Sequence, residues 1–252
     1  MTHASESQHW YDRDGNAAYD IRGANGNMRP VTLRDARKLN LVPGVSTILK
    51  CQDRPGLNRW IQEQVLHAAL TLPRLPDEPE TAFIERIWVD SKEQGKKAAE
   101  RGVAIHAAIQ GWYEIPRKST IEDLPYCEGV AKALYEWMPE YSMDAQAERS
   151  FSHPDGFGGK ADLSGPLLVA DFKTTEKPLA GVKTWDEHHQ QLAACREGLQ
   201  IPHARCAIVY VSVSEPGQAR VIELSEDELE RGWKMFTGLL DFWYAKTGLS
   251  RG

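Results

Sequence analysis

The sequence predicts a mixed α/β fold, a mixed central β-sheet flanked by helices, on three observations. Strand-like segments follow one another over residues 145–153, 158–163 and 167–173, separated by the breakers Pro154-Asp155-Gly156 and Ser164-Gly165-Pro166. A helical segment, 184–198, leads into 205–213, an almost continuous apolar run of the kind a strand carries when both of its faces are covered. Strand, helix, strand implies a right-handed parallel crossover, whereas the preceding hairpin is antiparallel, so the sheet mixes directions.

The elements follow in order. Asp14-Gly15 and Asn25-Gly26 are hairpin dipeptides, and a small antiparallel excursion is expected around them. Pro43-Gly44 ends a loop, and Ser46 is placed to cap a helix whose apolar positions run on through Leu57, Trp60 and Ile61, with a break near Pro55-Gly56. Pro73, Pro76 and Pro79 make 72–80 a connector. A long helix is expected over 81–113. Its stripe of Ala99, Gly102, Val103, His106, Ile109, Gln110 and Tyr113 at helical spacing turns His106 inward. A further helix over 128–141 buries Val130, Leu134, Trp137 and Met138. After the three strands, the crossover helix and the apolar strand, 218–224 adds a last strand. Ser225-Glu226-Asp227-Glu228 is a capping box that opens a final helix ending near Gly248. No internal repeat or low-complexity tract is present. The expected division is an N-terminal elaboration, 1–80, and a core, 81–252.

At 252 residues, with 26% charged and 41% apolar residues, the chain has an ordinary globular composition and can bury a core without disulfides. No run approaches the roughly 20 apolar residues of a membrane span, and the N-terminus MTHASESQHW lacks the basic-then-apolar layout of a secretory signal. A cytoplasmic protein without membrane contact is expected. Cys51, Cys127, Cys195 and Cys206 lie 76, 68 and 11 residues apart, which suits buried reduced thiols and no zinc or iron–sulfur ligand spacing. A net charge of −6 argues against nonspecific coating of nucleic acid, a process dominated by counterion release onto Lys and Arg. Yet Arg29, Arg34, Arg37, Lys38, Lys50, Arg54 and Arg59 face only Asp35 and Asp53, a local +5 in a chain whose remainder carries −11. That stretch is the expected place for phosphate contacts.

The chemistry concentrates in Gly158-Gly159-Lys160-Ala161-Asp162 and, eight residues on, Asp171-Phe172-Lys173. A lone D-x-K pattern carries little information. The chain holds a second copy, Asp90-Ser91-Lys92, in a helical segment, where positions i and i+2 diverge. In a strand, Asp171 and Lys173 share a face, and the turn at Ser164-Gly165-Pro166 folds Asp162 back beside Asp171. Two carboxylates and one ammonium are costly to bury together, because like charges repel and one lysine cannot satisfy both. A divalent cation resolves the conflict. Mg²⁺ or Mn²⁺ takes oxygen ligands, for which Asp162, Asp171 and the carbonyl of Phe172 qualify, and His106 would add a nitrogen. Lys173 would orient or deprotonate a water and offset phosphate charge.

Taken as a set, Arg101-Gly102 with His106, Gly159-Lys160-Ala161-Asp162, Val169-Ala170-Asp171-Phe172-Lys173-Thr174 and Gln191-Leu192-Ala193-Ala194 resemble the PD-(D/E)XK nucleases, in particular the RecB-like branch of phage-type exonucleases. The resemblance covers roughly 42–213, and 42–49 looks like the family's N-terminal helix. It implies a restriction-endonuclease-like core and a Mg²⁺- or Mn²⁺-dependent deoxyribonuclease. On this reading His106, Asp162 and Asp171, with Phe172, bind metal, Lys173 is the catalytic lysine, and Gln191 positions Lys173 or the phosphate. Lys50, Arg54, Arg59, Arg101 and Thr174 are the expected DNA contacts. Ala161 replaces the proline of the family name, Asp171 stands where many members carry Glu, and Cys195 stands where the branch usually has Tyr. Exonuclease action on DNA ends is the expected mode. The alternatives are a structure-specific or restriction-like endonuclease and a noncatalytic DNA-binding protein. A role in recombination or repair, with a recombination or single-strand-annealing partner, in a bacterial or phage-infected cell would follow from the branch.

Overall fold

The computed structural model describes residues 9–114, 120–140 and 145–251. In chain order the elements are β1 (Trp10–Tyr11), β2 (Asp20–Arg22), β3 (Met28–Pro30), α1 (Leu33–Leu39), β4 (Val42–Pro43), α2 (Val45–Leu49), α3 (Pro55–Thr71), α4 (Glu80–Tyr113) and α5 (Leu124–Trp137). They continue with β5 (Gln146–His153), β6 (Phe157–Gly165), β7 (Leu168–Thr175), α6 (Asp186–Gly198), β8 (Arg205–Ser212), β9 (Ala219–Leu224) and α7 (Glu226–Thr247). The chain forms two compact units, one from the described residues of Met1–Gln52 and Ala108–Gly252, the other from Asp53–Ala107. The expected boundary at residue 80 is therefore not where the contacts divide. Residues 9–52 belong with the sheet because β1, β4 and α2 pack on β6 and α6.

The larger unit is built on a five-stranded sheet of order β5-β6-β7-β8-β9. Strands β7 and β8 are parallel and every other neighbouring pair is antiparallel, which is the mixed sheet the crossover pattern predicts. Helices α6 and α7 cover one face, where Phe157, Ala161, Val169, Ile208, Leu192, Leu229, Phe236 and Trp243 are buried in one cluster. Helix α5 packs on β8 and β9, and Cys127, Val130 and Leu134 on it are fully buried. The Ser225 hydroxyl accepts from Glu228 N while the Glu228 carboxylate accepts from Ser225 N, and Gly248 closes α7 at φ 62°. The capping box and the glycine stop thus act as expected.

Two local expectations need correction and one holds. Ser46 does not cap α2: the N-cap is Gly44, in extended conformation without a side-chain cap, and Ser46 Oγ instead lies 3.2 Å from His9 Nδ1. The break at Pro55-Gly56 is real, since Pro55 occupies the first turn of α3, where its missing N–H costs nothing. Helix α5 begins at Leu124 rather than 128, and Tyr141, at the expected end, lies outside the described residues.

The smaller unit consists of α3, the connector and most of α4. Arg86 ties the connector down by pairing with Glu78 at 2.9 Å and donating to the carbonyl of Pro73. The expected stripe on α4 holds in part: Ile109 is buried and Gly102, His106, Gln110 and Tyr113 are half-buried, but Ala99 is exposed, Val103 is 69% exposed, and Ile105, outside the stripe, is buried.

Candidate active site

The β6–β7 hairpin pairs Gly165 with Leu168, Ser164 with Val169 and Leu163 with Ala170, and the ladder stops there. The next pair in register is Asp162 with Asp171. In place of a backbone partner, the amide of Phe172 donates to Asp162 Oδ2 at 2.9 Å. A side chain thus satisfies a donor that the withdrawn strand has left, and two acidic residues face each other where the strands part. Beyond that point β7 stays paired with β8 up to Thr175, while β6 meets the N-terminal segment through a parallel bridge between Gly44 and Gly158.

Gly158 and Gly159 permit this crossing. A Cβ at Gly158 would lie 2.6 Å from Tyr11 Cβ, and one at Gly159 would lie 3.1 Å from Val45 Cγ2. The first is closer than packed carbons come, so glycine lets β1 rest on the strand; at Gly159 the contact with α2 is tight, and the Phe151 ring, 2.5 Å from such a Cβ, takes the remaining space.

Asp171 is buried, with a 6% exposed side chain, and Lys173 beside it is 31% exposed. Lys173 Nζ lies 2.7 Å from Asp171 Oδ2. Gln191, one face of α6, closes the group: its Nε2 donates to Asp171 Oδ1 at 2.6 Å and its Oε1 accepts from Lys173 Nζ at 3.3 Å. The helix phase is thereby fixed with Gln191 on the site. Cys195, one turn on, is buried, and its thiol is pushed well above its ordinary range by burial and by the charges of Asp171 and Asp162. Gln190 turns away and donates to Gln52 Oε1 at 2.9 Å.

Burial and the neighbouring charge of Asp171 push the Asp162 carboxyl far above the usual carboxylate range, against the pull of Lys173, the Phe172 amide and Lys160. Burial alone would lower Lys173, but Asp171, Asp162 and Glu187 more than offset it, and its ammonium is held charged. His188 Nδ1 accepts from Trp185 N, and its imidazole is pushed down to about 4 by burial and by the Lys173 charge.

The cluster suits a hard divalent cation. Asp171 Oδ2 is buried without a hydrogen bond, its ammonium neighbour lying close but out of alignment. At the two ends of β7 the carbonyls of Leu167 and Thr175 accept from Arg205 N and Val213 N on the β8 side, so by alternation Phe172 turns its carbonyl to the same edge as the amide held by Asp162. Two carboxylates and a carbonyl on one edge match Mg²⁺, which commonly takes only one or two protein carboxylates.

The structure thus brings together Asp162, Asp171, Phe172, Lys173 and Gln191. Among the described residues, no three or more His, Cys, Asp or Glu side chains converge as a metal-holding group. His106 belongs to the smaller unit, as do Arg54, Arg59 and Arg101. Thr174 is half-buried and alternates to the opposite face of β7 from Lys173. The basic segment is partly neutralised: Arg29 pairs with Asp35 at 2.6 Å and Arg59 with Glu63 at 3.0 Å. Lys50 lies in the larger unit and is exposed.

No family model and no curated protein matches the chain. Among solved structures it is similar to a candidate exonuclease from Eubacterium rectale, 18% identical over 70% of this chain and 71% of that one, with a TM-score of 0.36. An alkaline exonuclease from Laribacter hongkongensis is 12% identical over 81% of this chain and 92% of that one, with a TM-score of 0.35.

Proposed function

We propose that the chain is a Mg²⁺- or Mn²⁺-dependent deoxyribonuclease of PD-(D/E)XK type that hydrolyses phosphodiester bonds, with exonuclease action as its mode. The observation that carries this reading is the closed group of Asp171, Lys173 and Gln191 with Asp162 at the parting of β6 and β7. Such a group is expensive as a purely structural feature, since one ammonium serves two carboxylates and the second remains strained.

Asp162, Asp171 and the Phe172 carbonyl would hold the cation. The cation, when bound, supplies Lewis acidity toward a phosphoryl oxygen and toward the attacking water. Lys173 keeps its proton beside Asp171, which favours charge compensation and orientation of the nucleophile over proton abstraction. Gln191 grips both Asp171 and Lys173 and fixes their spacing, so it is a positioning residue.

The test uses end-labelled linear DNA and closed circular DNA with Mg²⁺, Mn²⁺ or EDTA. Metal-dependent loss of linear DNA with intact circles is the expected result. Nicked circles would replace the exonuclease mode with an endonuclease one. Binding without product in every divalent ion would refute the hydrolase reading in favour of a noncatalytic DNA-binding protein.

A further inference from the structure

We propose that His9, Tyr19, Lys50 and Lys160 form a nucleotide subsite beside the carboxylate–lysine group, taking a base against the His9–Tyr19 ring stack and a phosphate against the two ammonium groups. The inference rests on the DNA-hydrolysing reading and names where the strand next to the cleaved bond is held.

The N-terminal segment is pinned there by its backbone. The carbonyl of His9 accepts from Gly44 N at 2.7 Å, and its amide donates to Thr47 Oγ1 at 2.9 Å. Gly44 in turn bridges Gly158 on β6. Along β6, Lys160 lies between Gly158 and Asp162, about 7 Å of strand from each, and both Lys160 and Asp162 are half-buried. Lys160 therefore stands between His9 and the candidate metal carboxylate. Its charge reaches both: it opposes the rise of Asp162 and, with burial and Lys50, lowers His9.

The rings are preorganised. His9 and Tyr19 stack at 4.6 Å with planes 23° apart, and Tyr19 Oη lies 2.6 Å from Tyr11 Oη. Tyr11 stands edge-on to Tyr19 at 5.7 Å and rests on Gly158. A neutral imidazole on a phenol, both half-buried, is a platform of the kind on which bases stack without regard to sequence. On β5, two residues from Ser150, the register partner of Lys160, Glu148 adopts the left-handed φ of 56°, rare for a non-glycine residue in a strand, and forms an ion pair with Lys160. Backbone strain of this kind persists where surrounding structure enforces it. Here it sets an acidic group against the lysine, a stand-in that an incoming phosphate would displace.

The experiment measures fluorescence anisotropy of a short fluorescein-labelled DNA, single-stranded and as its duplex, in EDTA, with an abasic site walked from the end one nucleotide at a time. In the wild type one abasic position should weaken binding by about tenfold. In His9→Ala that penalty should vanish at the same position. Lys160→Met should lower the slope of log affinity against log salt by about one, and Glu148→Gln should tighten binding. Thermal melts identify any variant that fails to fold, and Lys160→Met, altered at a half-exposed side chain, remains informative if His9→Ala does not fold. Wild-type protein that cuts linear DNA while His9→Ala keeps the full abasic penalty, or while Lys160→Met keeps the salt slope, would overturn the subsite alone. Wild-type protein that neither binds nor cuts DNA would overturn the nuclease reading and the subsite together.

Discussion

Replacing Asp162 by Asn isolates the charge strain at the site. The carboxyl is pushed up to about 7 from an ordinary 3.8, by burial first and by Asp171 second. Asn keeps an oxygen to accept from Phe172 N, so the substitution removes charge and leaves the hydrogen bond. A raised folded-state value means the folded protein binds the proton more tightly than the unfolded chain, so the wild type loses stability as pH rises from about 4 to about 7. Below that window the two proteins should be equally stable. Above it the ceiling is about three pH units at about 1.4 kcal/mol each, or about 4 kcal/mol, and relaxation should leave about half of that. Urea unfolding in EDTA across pH 4–8 should therefore show Asp162→Asn more stable by about 2 kcal/mol at neutral pH, with the gap closing as the solution is acidified. Mg²⁺ or Mn²⁺ should stabilise the wild type by mass action and leave the variant nearly unchanged. A variant less stable than the wild type in EDTA at pH 8 would refute the strain argument, because it would show the ionised carboxylate to be a net stabilising group.

Lys173→Met should fold and lose at least about a hundredfold of metal-dependent cleavage in single-turnover assays, and cleavage at wild-type rate would end the catalytic assignment. Gly158→Ala should destabilise by about 1–3 kcal/mol in urea unfolding, since its methyl would meet Tyr11 Cβ, whose strand cannot retreat. Among the four free cysteines, only Cys51 is partly exposed. A native thiol-titration reagent should therefore modify Cys51 first and reach Cys127, Cys195 and Cys206 only on unfolding, and burial holds the Cys206 thiol at about 12 and Cys195 well above its ordinary value.

The sheet was legible because its signals are local. Breakers bound each strand, and the capping box at Ser225 and the stop at Gly248 act through neighbours three or four residues away. Asp162, Asp171 and Lys173 were legible for a related reason: a tight turn fixes hairpin register, so two positions equidistant from it must meet. Gln191 was found through motif resemblance, and its direct grip on Asp171 and Lys173 is what the helix phase alone left open. The nonlocal features were not legible. Nothing in the sequence near His9 announces Gly158, because the bridge that joins their segments spans more than a hundred residues and leaves no periodic trace. Counting charge along 29–59 also overstated the available cation, since Arg59 finds its partner just past the counted stretch, at Glu63.

The parting of β6 from β7 links these observations. Had the ladder continued past Leu163 and Ala170, the Phe172 amide would have found a backbone carbonyl, and the two aspartates would have faced each other in a closed sheet with no room for a cation or a phosphate. Asp162 takes over that amide, so the edge of β7 opens without an unsatisfied donor. The opened length of β6 is then covered by the segment around Gly44, which two consecutive glycines allow to lie directly on the strand. The same irregularity thus sets the two carboxylates against each other and leaves the Phe172 amide to Asp162. The departure from a regular sheet and the chemistry of the site are one feature, and a variant that closed the ladder should lose both.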